Sequence, residues 1–145
     1  MSQITHLSEI CYLFIVINKT ETKYCFIVFC SHIAFEKAQS EASYLGLAVQ
    51  QHLENILEEL RREQNLENVS LLTRDLHVWP DFHGNRSPIS DPNLKGSVFG
   101  LTMDSSVRNL SLIYLATLQA VAYGTKHIVR QMERYLLKYN IVILL

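Results

Sequence analysis

At 145 residues, 48% of them hydrophobic, the chain is long enough for one domain with a buried core. Its net charge of −1, from 13 basic and 14 acidic side chains, excludes the basic excess of a nucleic-acid binder and the like-charged block of a solvating tail. The three cysteines, Cys11, Cys25 and Cys30, are odd in number and lack a Cys-x-x-Cys spacing, so neither a disulfide framework nor a zinc site is indicated.

Residues 1–30 carry two apolar runs, 12–17 and 24–29, separated by a polar stretch at 18–23. Both runs are aromatic and β-branched, and both are far shorter than the roughly 20 residues of a spanning helix. They predict a β-hairpin, apolar on both faces, that needs another layer over it. Glu9 stands just before the first run without a basic region ahead of it, so no secretory leader is expected.

Residues 33–66 predict helix. Leu45, Val49, Leu53, Ile56, Leu57 and Leu60 fall on one stripe, and Ala38, Ala42 and Ala48 add propensity. Gly46 weakens the middle, leaving one long helix or two, and Asn65 and Asn68 mark the end. Glu54, Glu58, Glu59 and Glu63, mixed with Arg61 and Arg62, form a solvated face.

Over 69–101 the pattern changes. Leu76 and Val78 alternate with polar neighbours as in a short strand, which Trp79-Pro80 ends, because proline cannot continue a ladder. Asp91-Pro92 opens a further turn. Between them lies the candidate site, a cleft-lining or structural loop of Gly84, Asn85, Arg86, Ser87 and Pro88. It gathers permissive backbone, an amide, a guanidinium, a hydroxyl and a fixed proline in five residues. The Arg86 fork of five donors suits either loop carbonyls, pinning the turn, or a ligand. His77 and His83 flank the loop without metal-ligand spacing, and no metal ligand is assigned.

Residues 105–139 predict a second long helix. Asp104, Ser105 and Ser106 are candidate N-caps, and Leu112, Leu115, Leu118, Val121, Ile128 and Met132 give a broad apolar face. Gly124 sits within it at a cost of about 1 kcal/mol relative to alanine. The last residues, 140–145, turn abruptly apolar. The whole is expected to be mainly α with a few short strands.

One string carries a resemblance: Leu76-His-Val-Trp-Pro-Asp-Phe-His-Gly-Asn-Arg-Ser-Pro88, then Leu94-Lys-Gly96, Gly100-Leu101 and Leu115-Ala-Thr-Leu-Gln-Ala-Val-Ala-Tyr-Gly-Thr125. It resembles the C-terminal domain of the FGGY carbohydrate kinases, in their ribulokinase-like branch. The chain accordingly divides into three segments: 31–133 similar to part of that domain, and 1–30 and 134–145 foreign to it. The foreign flanks are expected to be translated non-coding sequence of a partial gene, or features of an alternative isoform.

The resemblance implies an α/β parent fold, ribonuclease-H-like, within the actin-like ATPase superfamily. It implies a cytoplasmic enzyme that moves the γ-phosphoryl of MgATP to a sugar, with sugar and ATP as its partners. It also implies what lies outside the matched stretch: the family's catalytic aspartate, its N-terminal phosphate loop and the glycine turn after the second helix. Asp75 and Asp81 lie near the loop, yet neither inherits the base role on motif grounds. No catalytic or cofactor-binding residue is therefore assigned. The chain is expected to be an inactive kinase fragment or, alternatively, a truncated isoform acting as an interaction module that associates through exposed apolar surface.

Overall fold

The structure, a computed structural model, describes residues 22–138, and the side chains of residues 32–136. Its elements in order are helices α1 (Thr22–Tyr44) and α2 (Val49–Glu63), a 3-10 turn at Val69–Thr73, strands β1 (His77–Trp79) and β2 (Ser97–Phe99), and helix α3 (Val107–Lys138). The chain divides into two compact units, Met1–Leu72 with Thr102–Leu112, and Thr73–Leu101 with Ile113–Leu145. Mainly helical with two short strands, the described residues have the composition of elements expected from the sequence.

The hairpin expected over 1–30 needs correction. Its first run lies outside the described residues. Its second, at 24–29, forms the opening turns of α1 rather than a strand. A short β-branched run cannot be told from a helix segment by its own composition, and this one is continuous with a stretch rich in helix formers.

In the first unit, the choice between one helix and two falls to two. Leu47 N–H donates to Ala42 O at 2.9 Å and Gly46 N–H to Ser43 O at 3.2 Å, the paired bonds of a Schellman stop. Gly46 takes the left-handed φ of +66° that this stop requires. Asn65 ends α2 by the same device, with φ +50°, its N–H on Arg62 O and that of Leu66 on Arg61 O, each at 3.0 Å. Leu45 therefore leaves the predicted stripe and is exposed, whereas Leu53, Leu57 and Leu60 are buried.

α1 and α2 pack together. Ala34, Ala38 and Ala42, one turn apart on α1, are buried, and side chains that small let helix backbones approach closely. His52, buried on α2, donates from Nε2 to Glu41 Oε2 on α1 at 2.9 Å. Ser106 caps α3: its Oγ accepts the Asn109 N–H at 3.1 Å, and the hydroxyl donates to Asp104 Oδ2 at 2.9 Å. Val107 and Leu110 come next and enter the core.

In the second unit, β1 and β2 pair antiparallel in the register His77–Phe99, Val78–Val98 and Trp79–Ser97. Thr73, buried, donates from Oγ1 to Gln119 Oε1 of α3 at 2.5 Å, while Ala116 and Ala120 of that helix are buried. Among the described residues no helix is long and apolar enough to cross a membrane.

Candidate functional site

The two strands hold the ends of the loop 80–96. Its first turn closes when Phe82 N–H donates to Pro80 O at 2.8 Å and Gly84 N–H to Asp81 O at 3.2 Å. Gly84 sits at φ +82°, and a Cβ there would lie 2.6 Å from the Pro92 carbonyl oxygen. Glycine is thus required twice, for the left-handed backbone and for the close approach of the returning chain.

Asn85 fastens the crest of the loop. Its Nδ2 donates to both Asp81 carboxylate oxygens at 3.0 Å, and its Oδ1 accepts the Ile89 N–H at 3.0 Å. Its backbone N–H donates to Asp91 O at 2.8 Å, bridging the two arms. Asp91 Oδ1 in turn accepts the Asn93 N–H at 2.8 Å, an Asx turn that starts the return arm. One asparagine thus ties the beginning, the crest and the return of the loop.

The other members of the predicted block are placed differently. Arg86 and Ser87 are exposed, and among the described residues the Arg86 guanidinium makes no hydrogen bond or ion pair. Pro88, half-buried, comes after a cis peptide from Ser87. The loop is therefore pinned by Asn85 on Asp81. No role for Asp81 is evident from sequence, because only the folded turn brings its carboxylate to an amide four residues on. Gln119, part of the Leu115–Thr125 motif, is the acceptor for Thr73. Its partner lies 46 positions away, beyond the reach of local pattern.

The charged run on α2 is organised as well as solvated. Arg61 grips Glu58 with Nε and Nη2, at 2.9 and 2.8 Å, and turns Nη1 to Leu66 O at 2.7 Å. Arg62 adds a bond to Glu58 at 3.1 Å. These donors, the Arg61 hydrogen bond first, hold the Glu58 carboxyl down from its ordinary 4.5 to about 2. Arg108 pairs with Glu63 beside it. The open depression here, lined by Asn55, Glu58, Glu59, Arg62 and Glu63, is a charged helix surface. Among the described residues, no three His, Cys, Asp or Glu side chains gather to hold a metal ion.

The loop string and the helix motif of α3 have counterparts in known proteins. Residues 30–144 match the model of the FGGY family of carbohydrate kinases, C-terminal domain. The chain belongs to this family. The match runs past residue 133 into the stretch set apart from sequence as divergent. The FGGY carbohydrate kinase domain-containing protein of Xenopus laevis is 45% identical over 102 residues, 70% of this chain and 18% of that protein. A D-ribulokinase of Saccharomyces cerevisiae is 33% identical over 102 residues, 70% of this chain and 14% of the yeast protein. A ribulokinase of Staphylococcus epidermidis is 38% identical over 82 residues, covering 57% and 14%. The chain thus spans less than a fifth of the length of these relatives.

Proposed function

We propose that the chain is a segment of a cytoplasmic, ATP-dependent carbohydrate kinase that phosphorylates a pentulose or related polyol, and that the segment alone is inactive. The complete enzyme has the ribonuclease-H-like fold of actin-like ATPases. The observation that carries this reading is the family match over 30–144, joined by relatives named for ribulokinase activity.

Phosphoryl transfer from MgATP is mainly positioning and charge stabilisation: phosphates, magnesium, sugar hydroxyl and base must be held in one cleft. Positioning alone is worth about 7–11 kcal/mol of barrier. The present residues contribute a stapled loop and a supporting helix. Arg86, exposed on the crest of that loop, is the group offered to a polar or anionic ligand at the cleft, while Gly84, Asn85 and Pro88 hold its backbone in place.

Two experiments test the reading. Grafted in place of the matched 102 residues of the yeast D-ribulokinase, the segment is expected to leave ribulose phosphorylation intact. A folded chimera without turnover contradicts the kinase assignment. In a coupled assay over pentuloses, pentitols and hexuloses, the isolated chain is expected to give no turnover. Activity that tracks the amount of pure protein contradicts its inactivity. A second reading, a non-enzymatic interaction module, draws on the apolar side chains left exposed along α3.

A further inference from the structure

We infer that Asp81 is a positioning residue of the kinase reaction, holding through Asn85 the loop crest that carries Arg86, a role that rests on the kinase reading above. Asp81 comes two residues after Trp79, the end of β1, which is paired across the ribbon with Ser97. It therefore joins the paired strands to the loop they carry. Half-buried, it holds that loop at two points. Its carbonyl oxygen accepts the Gly84 N–H at 3.2 Å, and its carboxylate oxygens accept Asn85 Nδ2 at 3.0 Å each. Asn85 passes the hold forward through Oδ1, which accepts the Ile89 N–H at 3.0 Å. Arg86 and Ser87, both exposed, lie between these anchors. Groups held this way by their neighbours are the ones that keep a productive geometry, and a displacement of about 1 Å can cost roughly 100-fold in rate.

The chemistry separates positioning from proton transfer. A general base needs an oxygen within hydrogen-bond reach of the substrate proton. Both Asp81 oxygens face the Asn85 amide instead. Asp75, the other aspartate near the loop, is exposed and pairs with its neighbour Arg74 at 3.2 Å. What the crest requires of residue 81 is an acceptor at a fixed place. Asparagine supplies an acceptor of the same shape and cannot serve as a base, whereas alanine supplies neither.

The yeast D-ribulokinase chimera carrying this segment tests the role, assayed with ribulose and ATP. Asp81→Asn exchanges a charged acceptor for a neutral one and should keep kcat/KM within about fivefold. Asp81→Ala removes the acceptor, and Asn85→Asp sets two carboxylates face to face. Each should lower kcat/KM about 10- to 100-fold with the pH profile unchanged. Asp81→Asn combined with Asn85→Asp rebuilds the amide–carboxylate bond in reverse and should return most of the lost rate. Circular dichroism and the thermal midpoint establish that each variant is folded at the assay temperature. Should Asp81→Ala fail to fold, Asp81→Asn and the exchanged pair decide. Abolished turnover in folded Asp81→Asn overturns the inference, and a lost acid limb of the pH profile would make Asp81 a base. Full activity in folded Asp81→Ala or Asn85→Asp overturns it as well, and so does an exchanged pair without recovery. An unsubstituted chimera that folds without turnover contradicts the kinase assignment itself and removes this role with it.

Discussion

Replacing Asn85 with alanine removes the fastening of the loop in one step. Three bonds go: two from Nδ2 to the Asp81 carboxylate and one from the Ile89 N–H to Oδ1, all at 3.0 Å. A neutral hydrogen bond contributes about 0.5–1.5 kcal/mol net, and one to a charged group about 1.5–3. The Nδ2 contacts share a donor, and Asp81 is only half-buried, so they count as one bond at the low end of its range. The total is about 2 kcal/mol, concentrated in the loop. The backbone bond from Asn85 to Asp91 survives the substitution, so the arms stay joined while the crest loosens. The Ile89 amide reports this directly, because the side chain removed is its acceptor. Hydrogen exchange there should accelerate about 30-fold, at 1.4 kcal/mol per decade. Arg86→Ala, which deletes an exposed group, should change Ile89 exchange by less than about threefold. An unaltered Ile89 rate in Asn85→Ala would refute the fastening. An equal acceleration in Arg86→Ala would return the pinning role to the guanidinium.

Glu58 gives a pH dependence of defined sign. Its carboxyl titrates lower in the folded chain, about 2 against the ordinary 4.5, so its contribution is fully present above about 4.5 and is lost as pH falls toward 2. Acid titration of α2 by chemical shift should place the Glu58 midpoint near 2, and salt should raise it because the group is solvent-exposed. Glu58→Gln should flatten the stability profile across that window, and an unchanged profile would count against the network. Gly124 sits within α3 with open space around the position a Cβ would take. Gly124→Ala should therefore stabilise the chain by about 1 kcal/mol, visible as a higher thermal midpoint, whereas destabilisation would reveal a close neighbour at that position.

What the sequence makes legible is what local chemistry decides. The strand before Pro80, the helix end near Asn65 and Asn68, the cap among Asp104, Ser105 and Ser106, and the long final helix each depend on one residue's backbone preference or one side chain's reach, whereas the sequence leaves one helix or two open at Gly46 and only the folded stop decides. The run at 24–29 reads wrongly as a strand because strand and helix share its apolar, β-branched composition, and only continuity with α1 decides between them. Leu45 counts with the core in the sequence because periodicity continues through a glycine whether or not the helix does.

The site shows the same division at finer scale. The block Gly84–Pro88 is found because turn residues are conspicuous, but the guanidinium draws more attention than the amide beside it. Arginine advertises five donors, whereas an amide's value depends on whether a carboxylate and a backbone N–H meet it from opposite sides. Here Asp81 and Ile89 do so, four residues before and four after. That symmetric spacing is present in the sequence, although without helical geometry to license an i±4 contact it carries no weight. The resulting division of labour is physical. Asn85 uses its hydrogen-bonding capacity within the loop, whereas Arg86 stands exposed at the crest with no hydrogen bond or ion pair to the described residues.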